Sequence, residues 1–202
     1  MLINRRDRKL MCLLLLFTSG AAAGQSHLHH NSMAPVGEPA VVDQLSVPDV
    51  VLISQDGKKV RFYSDLVRGK VVVINTIFTT CTTICPPMGA NFSKLQRLLG
   101  DRLGRDVELI SISVDPAVDT PQRLKAWAGK FHRGPGWTLL TGPKRTVDDL
   151  LKVLKVFTVD KEDHSPIVLV GNSDRGEWTR AHALVSADKL ANLIDNMMEE
   201  GD

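Results

Sequence analysis

Lys70-Val71-Val72-Val73-Ile74-Asn75-Thr76-Ile77, running straight into Phe78-Thr79-Thr80-Cys81-Thr82-Thr83-Ile84-Cys85-Pro86-Pro87, is the stretch that decides the fold. An apolar, β-branched run without polar alternation belongs in a strand covered on both faces, the central position of a layered sheet. Behind it come two cysteines with three residues between them and then a double proline. A residue before proline is pushed away from helical dihedrals, so the spacing predicts a helix starting near Pro87. Cys81 and Cys85 are then expected in the loop feeding that helix, their Cα atoms within the about 4.4–6.8 Å that a disulfide requires. The adjacent helix N-terminus favours thiolate over thiol. Such a pair can form a structural bridge, pass electrons, or bite a soft metal ion. A bridge closing so short a loop is a poor staple.

Upstream, Val50–Ile53 and Val60–Phe62 flank Gln55-Asp56-Gly57 and predict an opening hairpin. Downstream, Phe92, Leu95, Leu98 and Leu99 form one helical stripe, and Glu108–Val114 reads as a second central strand. Asp119-Thr120-Pro121 caps a helix with Leu124, Trp127, Ala128 and Phe131 inward. Trp137–Leu140 is a short strand, and Thr146 is expected to cap a helix carrying Val147, Leu150, Leu151 and Leu154. Ile167–Val170 and Trp178–Ala183 pair around Asn172–Gly176, and Ser186 opens a last helix with Leu190, Leu193, Ile194 and Met197 on its stripe. This order gives an α/β class: a three-layer fold with a central mixed β-sheet. A cysteine pair between its first strand and helix is the thioredoxin-like arrangement.

The N-terminus reads as a secretory signal. Arg5, Arg6, Arg8 and Lys9 precede an apolar core from Leu10 to Phe17, and Ala21-Ala22-Ala23 offers a cleavage site. The apolar core is short for a membrane span, so a cleaved signal over residues 1–23 and a periplasmic location are expected, ahead of an uncleaved anchor. Cys12 leaves with it. The remainder carries 21 Lys and Arg against 22 Asp and Glu, without the basic excess of a nucleic-acid partner. Residues 24–48, with His27, His29 and His30 among prolines, read as a flexible linker. The three histidines can catch a metal ion at the surface, but a solvated tether is the plainer reading. Residues 49–199 are long enough for one domain with its own core.

His164 is the third residue singled out. It stands in Asp163-His164-Ser165-Pro166, just ahead of the strand at Ile167. In thioredoxin-like folds this entering loop packs on the cysteine loop, often through a cis-proline, and Pro166 stands where that proline would. His164 is then expected over the sulfurs. Two thiolates and one imidazole make a soft copper site. Asp163 is expected either to orient the imidazole or to add a ligand to oxidised copper. His132 and His182 have no such setting and are expected to be structural or exposed.

The chain resembles the Sco/SenC family of exported copper-handling proteins. The resemblance rests on the strand leading to Cys81-x-x-x-Cys85-Pro86, on Ser113-Val114-Asp115-Pro116 with Asp119-Thr120-Pro121, and on Asp163-His164-Ser165, in that order over residues 48–196. It implies one copper ion, Cu(I) or Cu(II), held by Cys81, Cys85 and His164. It also implies a role in building the binuclear copper centre of cytochrome c oxidase, by delivering copper or reducing that centre's cysteines. The implied partner is the oxidase's copper-site subunit or another exported copper protein, met in transient proximity to a membrane.

Many family members carry Pro and Asp between the cysteines, where this chain has Thr82 and Thr83. That departure keeps a second reading open, a thiol–disulfide oxidoreductase using Cys81 and Cys85 as its redox pair. A metallochaperone has no conventional catalytic cycle, so enzyme status depends on which reading holds. A thiol peroxidase fits less well, because the Thr expected three residues before its reactive cysteine is Phe78 here. A redox-inert binding domain with a structural bridge is the remaining alternative.

Overall fold

The computed structural model describes residues 40–42, 45–164 and 166–199. The expected signal peptide and His27, His29 and His30 lie outside the described residues. Eight strands form one mixed sheet: β1 (Ala40–Val42), β2 (Val51–Ser54), β3 (Lys59–Arg61), β4 (Val71–Ile77), β5 (Val107–Ser113), β6 (Trp137–Thr141), β7 (Ile167–Asn172) and β8 (Glu177–His182). Their order across the sheet is β1-β8-β7-β4-β5-β6-β2-β3. β4, β5 and β6 run parallel, and β7 runs antiparallel to β4. All seven residues of β4 and all seven of β5 are buried. Helices cover both faces there, which is why those strands show no alternation.

Among the described residues four α-helices complete the layers: α1 (Cys85–Leu99), α2 (Pro121–Gly129), α3 (Lys144–Val153) and α4 (Ala187–Glu199). Cys85, Met88, Phe92 and Leu95 of α1 pack with Leu124 and Trp127 of α2 and with Leu190 and Ile194 of α4 into one core. The other core joins Val147, Leu150 and Leu151 of α3 to Phe62, Leu66 and Val67 of a single π-helical turn. The result is the expected three-layer, thioredoxin-like α/β fold.

Several boundaries differ from expectation. α1 begins at Cys85, not Pro87, and both prolines lie in its first turn. A first-turn proline sacrifices only an N–H that has no helical partner, so this geometry outweighs the pre-proline bias on Cys85. Leu98 is 43% exposed, and the buried stripe of α1 is instead Met88, Phe92, Leu95 and Leu99. Thr146 lies within α3, whose N-cap is Pro143. The Asp119-Thr120-Pro121 cap of α2 forms as read, Thr120 being its N-cap with Oγ1 accepting from the Arg123 amide at 3.3 Å. Residues 40–42, placed by composition in the linker, form β1 against β8, and Leu45 is buried. The opening hairpin forms as read, with Gly57 at φ +74° in its turn.

Candidate metal centre

β4 delivers the chain to the site. Phe78, 2% exposed, follows its last residue, and a tight turn returns the Cys81 amide to the Phe78 carbonyl at 3.1 Å. The turn is held from below by Asp119, whose carboxylate is fully buried. It accepts from the Thr79 amide at 3.1 and 3.2 Å, from Thr79 Oγ1 at 2.5 Å and from Ser113 Oγ at 2.6 Å. The Cys81 sulfur then stands at the start of α1, where Ile84 offers no capping side chain. It accepts from the Cys85 amide at 3.4 Å and lies 3.7 Å from Thr83 Oγ1.

The two sulfurs are electrostatically unlike. Burial disfavours the Cys81 thiolate, but hydrogen bonds from the Cys85 side chain and amide and from Thr83 outweigh it and bring the thiol below its ordinary range. Cys85 is pushed up to about 12, first by burial and further by the adjacent Cys81 and Asp119; a backbone hydrogen bond from Phe78 offsets part of this. Cys81 is the outer, ionisable sulfur, and Cys85 the inner, protonated one. Both are free thiols; the disulfide that the spacing allows is not formed in this structure.

His164, 5% exposed, closes the group from the far side of the sheet's end. Its Nε2 lies 3.7 Å from Cys85 Sγ and its Nδ1 2.8 Å from the Lys161 carbonyl. A carbonyl only accepts, so Nδ1 carries the proton, and in the neutral ring Nε2 turns its lone pair to the sulfur. The ring also meets Phe78 edge to face, with centroids 5.3 Å apart at 79°. The Lys161 carbonyl therefore does what was expected of Asp163, which is exposed. No cis peptide bond occurs among the described residues; Ser165, and with it the bond to Pro166, lies outside them. His132 is exposed, and the half-buried His182 turns Nδ1 to the Leu184 amide at 3.3 Å.

The structure thus brings Cys81 to Cys85 and Cys85 to His164. Among the described residues, no three His, Cys, Asp or Glu side chains are already drawn together as a preformed cage. The donor set nevertheless fits a soft ion: two thiols, one ionisable, and an imidazole whose free nitrogen faces sulfur. Two contributors escaped the sequence reading. Asp119 looked like a helix cap, and Lys161 was not singled out. Only Asp119 left a local trace, since the residue after it is also a good cap.

Comparison with known proteins places the chain. The SCO1/SenC family profile matches residues 43–199. The chain belongs to the SCO1/SenC family. It is 43% identical over 90 residues to the SCO1 protein homolog of Bacillus subtilis, covering 44% of this chain and 45% of that one. The chain spans about half the length of the curated relatives it matches. Among solved structures it is similar to BsSco, described as a member of the Sco family of cytochrome c oxidase assembly proteins with a disulfide switch. That likeness has TM-score 0.64 and 28% identity, over 78% of this chain and 95% of that one. The fold is also shared with copper-bound ScoI of Bradyrhizobium japonicum, at TM-score 0.62 and 24% identity, over 80% of this chain and 99% of that one.

Proposed function

We propose that this chain is an exported copper metallochaperone in the assembly of cytochrome c oxidase, taking copper as cargo on Cys81, Cys85 and His164. One observation carries the reading: Nδ1 of His164 is committed to the Lys161 carbonyl, which turns the Nε2 lone pair to Cys85 Sγ at 3.7 Å. Imidazoles that ligate metals are oriented in the same way. The copper-bound and oxidase-assembly relatives support it.

Cys81, the outer sulfur, is suited to meet the incoming ion and to be the first to yield it to a partner's thiolates. Cys85 gives up its proton when the ion arrives, so loading weakens as pH falls. Closing all three donors on one ion calls for an inward shift of the Cys81–Ile84 segment or of the turn carrying His164. The receiving partner is the copper-site subunit of the oxidase, met at the outer face of the membrane after export. Among the described residues no helix is long and apolar enough to cross a membrane.

The test is a Cu(I) competition titration against a chromophoric chelator. The wild-type domain should bind far more tightly than the Cys81→Ser/Cys85→Ser double variant, with His164→Ala between them. Equal retention of Cu(I) by wild type and double variant would end the reading.

The asymmetry of the two sulfurs favours one second reading, a thiol–disulfide oxidoreductase acting on a partner's copper-site cysteines. The Cys81 thiolate would attack the partner disulfide, expelling one partner thiolate, and Cys85 would then displace the second while closing the Cys81–Cys85 bond. The partner disulfide is reduced and this pair oxidised, two electrons each way. His164→Ala should leave that turnover largely intact while loosening copper.

A further inference from the structure

We propose that the ion pair between Lys161 and Asp115 is a clasp that positions His164 for its ligand role. The inference rests on the copper reading above and deepens it. Lys161–Asp163 is one short 3-10 turn immediately before His164. Lys161 is bound at both of its ends. Its carbonyl accepts from His164 Nδ1 at 2.8 Å and from the His164 amide at 3.3 Å. Its ammonium lies 2.7 Å from Asp115 Oδ2 and 5.4 Å from the centroid of the Phe78 ring. Phe78 is the same ring that meets His164 edge to face. One residue thus fixes the imidazole by its backbone and anchors itself by its side chain.

The anchor is firm because Asp115 is. Its amide donates to Ser113 Oγ at 3.0 Å, and its carbonyl accepts from the Val118 and Asp119 amides at 3.0 and 2.9 Å. That turn is continuous with the buried Asp119 that holds the Cys81 loop. The clasp therefore refers both halves of the site to one rigid loop after β5.

The chain just before Lys161 has little else to hold it. Val159 is 95% exposed. Among the described residues, the other side-chain hydrogen bonds of Thr158–Asp163 stay inside that segment, from Thr158 Oγ1 to the Asp160 carbonyl and from the Glu162 amide to Asp160 Oδ1. Without the ammonium, the turn keeps its internal bonds but loses its sideways tie, and His164 Nε2 loses its fixed distance from sulfur. Lys161 and Asp115 are positioning residues; neither touches the ion.

The test uses the wild-type protein with Lys161→Met, Asp115→Asn, the Lys161→Met/Asp115→Asn double variant, Lys161→Arg, His164→Ala and the Cys81→Ser/Cys85→Ser variant, measuring Cu(I) affinity by chelator competition. In the metal-free protein, exchange of the His164 amide is followed by NMR. Lys161→Met and Asp115→Asn should each weaken Cu(I) binding by about threefold to fivefold, in line with a partly exposed ion pair. The double variant should lose no more than either single, the signature of one shared interaction. Lys161→Arg should restore most of the affinity, and His164 amide exchange should speed up in step with each loss.

If His164→Ala loses affinity while Lys161→Met and Asp115→Asn bind as wild type does, the clasp is wrong and the copper reading stands. If wild type binds no better than the double Cys→Ser variant, the copper reading fails. The amide exchange then decides the clasp alone: faster exchange supports it, and unchanged exchange overturns it.

Discussion

Asp119→Ala removes the acceptor on which the floor of the site depends. The carboxylate has no exposed surface and takes hydrogen bonds from the Thr79 amide, the Thr79 hydroxyl and the Ser113 hydroxyl. Hydrogen bonds to a charged group contribute about 1.5–3 kcal/mol each, so three of them bound the loss from above. Some of it is recovered. Thr79 Oγ1 keeps a contact from Arg123 Nε at 3.4 Å, and Ser113 Oγ still accepts from the Asp115 amide. Breaking a buried charged network typically costs about 3–5 kcal/mol, which is the expected range here. A domain of this size loses about 2–4 °C per kcal/mol, so the reduced, metal-free protein should melt roughly 10 °C lower. Urea titration should lower the midpoint without changing the slope. Asp119→Asn keeps the shape and one acceptor and should cost about half as much. It should also leave Cys85 easier to ionise, because the Asp119 charge helps hold that thiol up. A fall in melting temperature of under about 3 °C for Asp119→Ala would show that Thr79 and Ser113 find water instead, and the floor argument would fail.

Three further outcomes follow from the same geometry. In the reduced protein at pH 8, iodoacetamide should label Cys81 well before Cys85, since one thiol is lowered and the other raised to about 12; equal labelling by mass spectrometry would contradict the asymmetry. Below the Cys81 pKa the thiol is protonated and labelling slows, and above it the rate levels off, so the pH–rate midpoint should fall below that of an ordinary cysteine. Thr83→Val removes a hydroxyl 3.7 Å from the Cys81 sulfur and should move that midpoint upward; an unmoved midpoint would show that the hydroxyl contributes nothing and that Cys85 and the backbone hold the thiol down. Gly171→Ala would drive a methyl into the Trp178 ring, which is 1% exposed. It should cost about 1–3 kcal/mol in urea unfolding, and a wild-type midpoint would show that the hairpin yields.

The layers were legible because burial is periodic. Val147, Leu150 and Leu151 of α3, and Leu154 at its C-cap, are buried as their spacing predicts. Leu98 falls outside the α1 stripe because spacing alone cannot say how wide the covering surface is, and Met88 extends the buried stripe toward the site. α1 starts two residues before the expected Pro87 because two proline rules compete at Cys85, and the helix prevails there with the Cys85 amide donating to the Cys81 sulfur.

By itself, the sequence determined the central strand, the cysteine pair at its end and the order of the family motifs, since each is local in the chain. The tertiary structure decided which groups hold which. The Lys161 carbonyl takes the imidazole proton that Asp163 was expected to orient, and Asp119 turns inward to hold a loop 40 residues away. Lys161 reaches 46 residues back to Asp115. Apolar burial repeats with the helix or strand and so is written along the chain. A polar contact between distant loops has no period, and its partner is chosen only when the sheet brings those loops to one end.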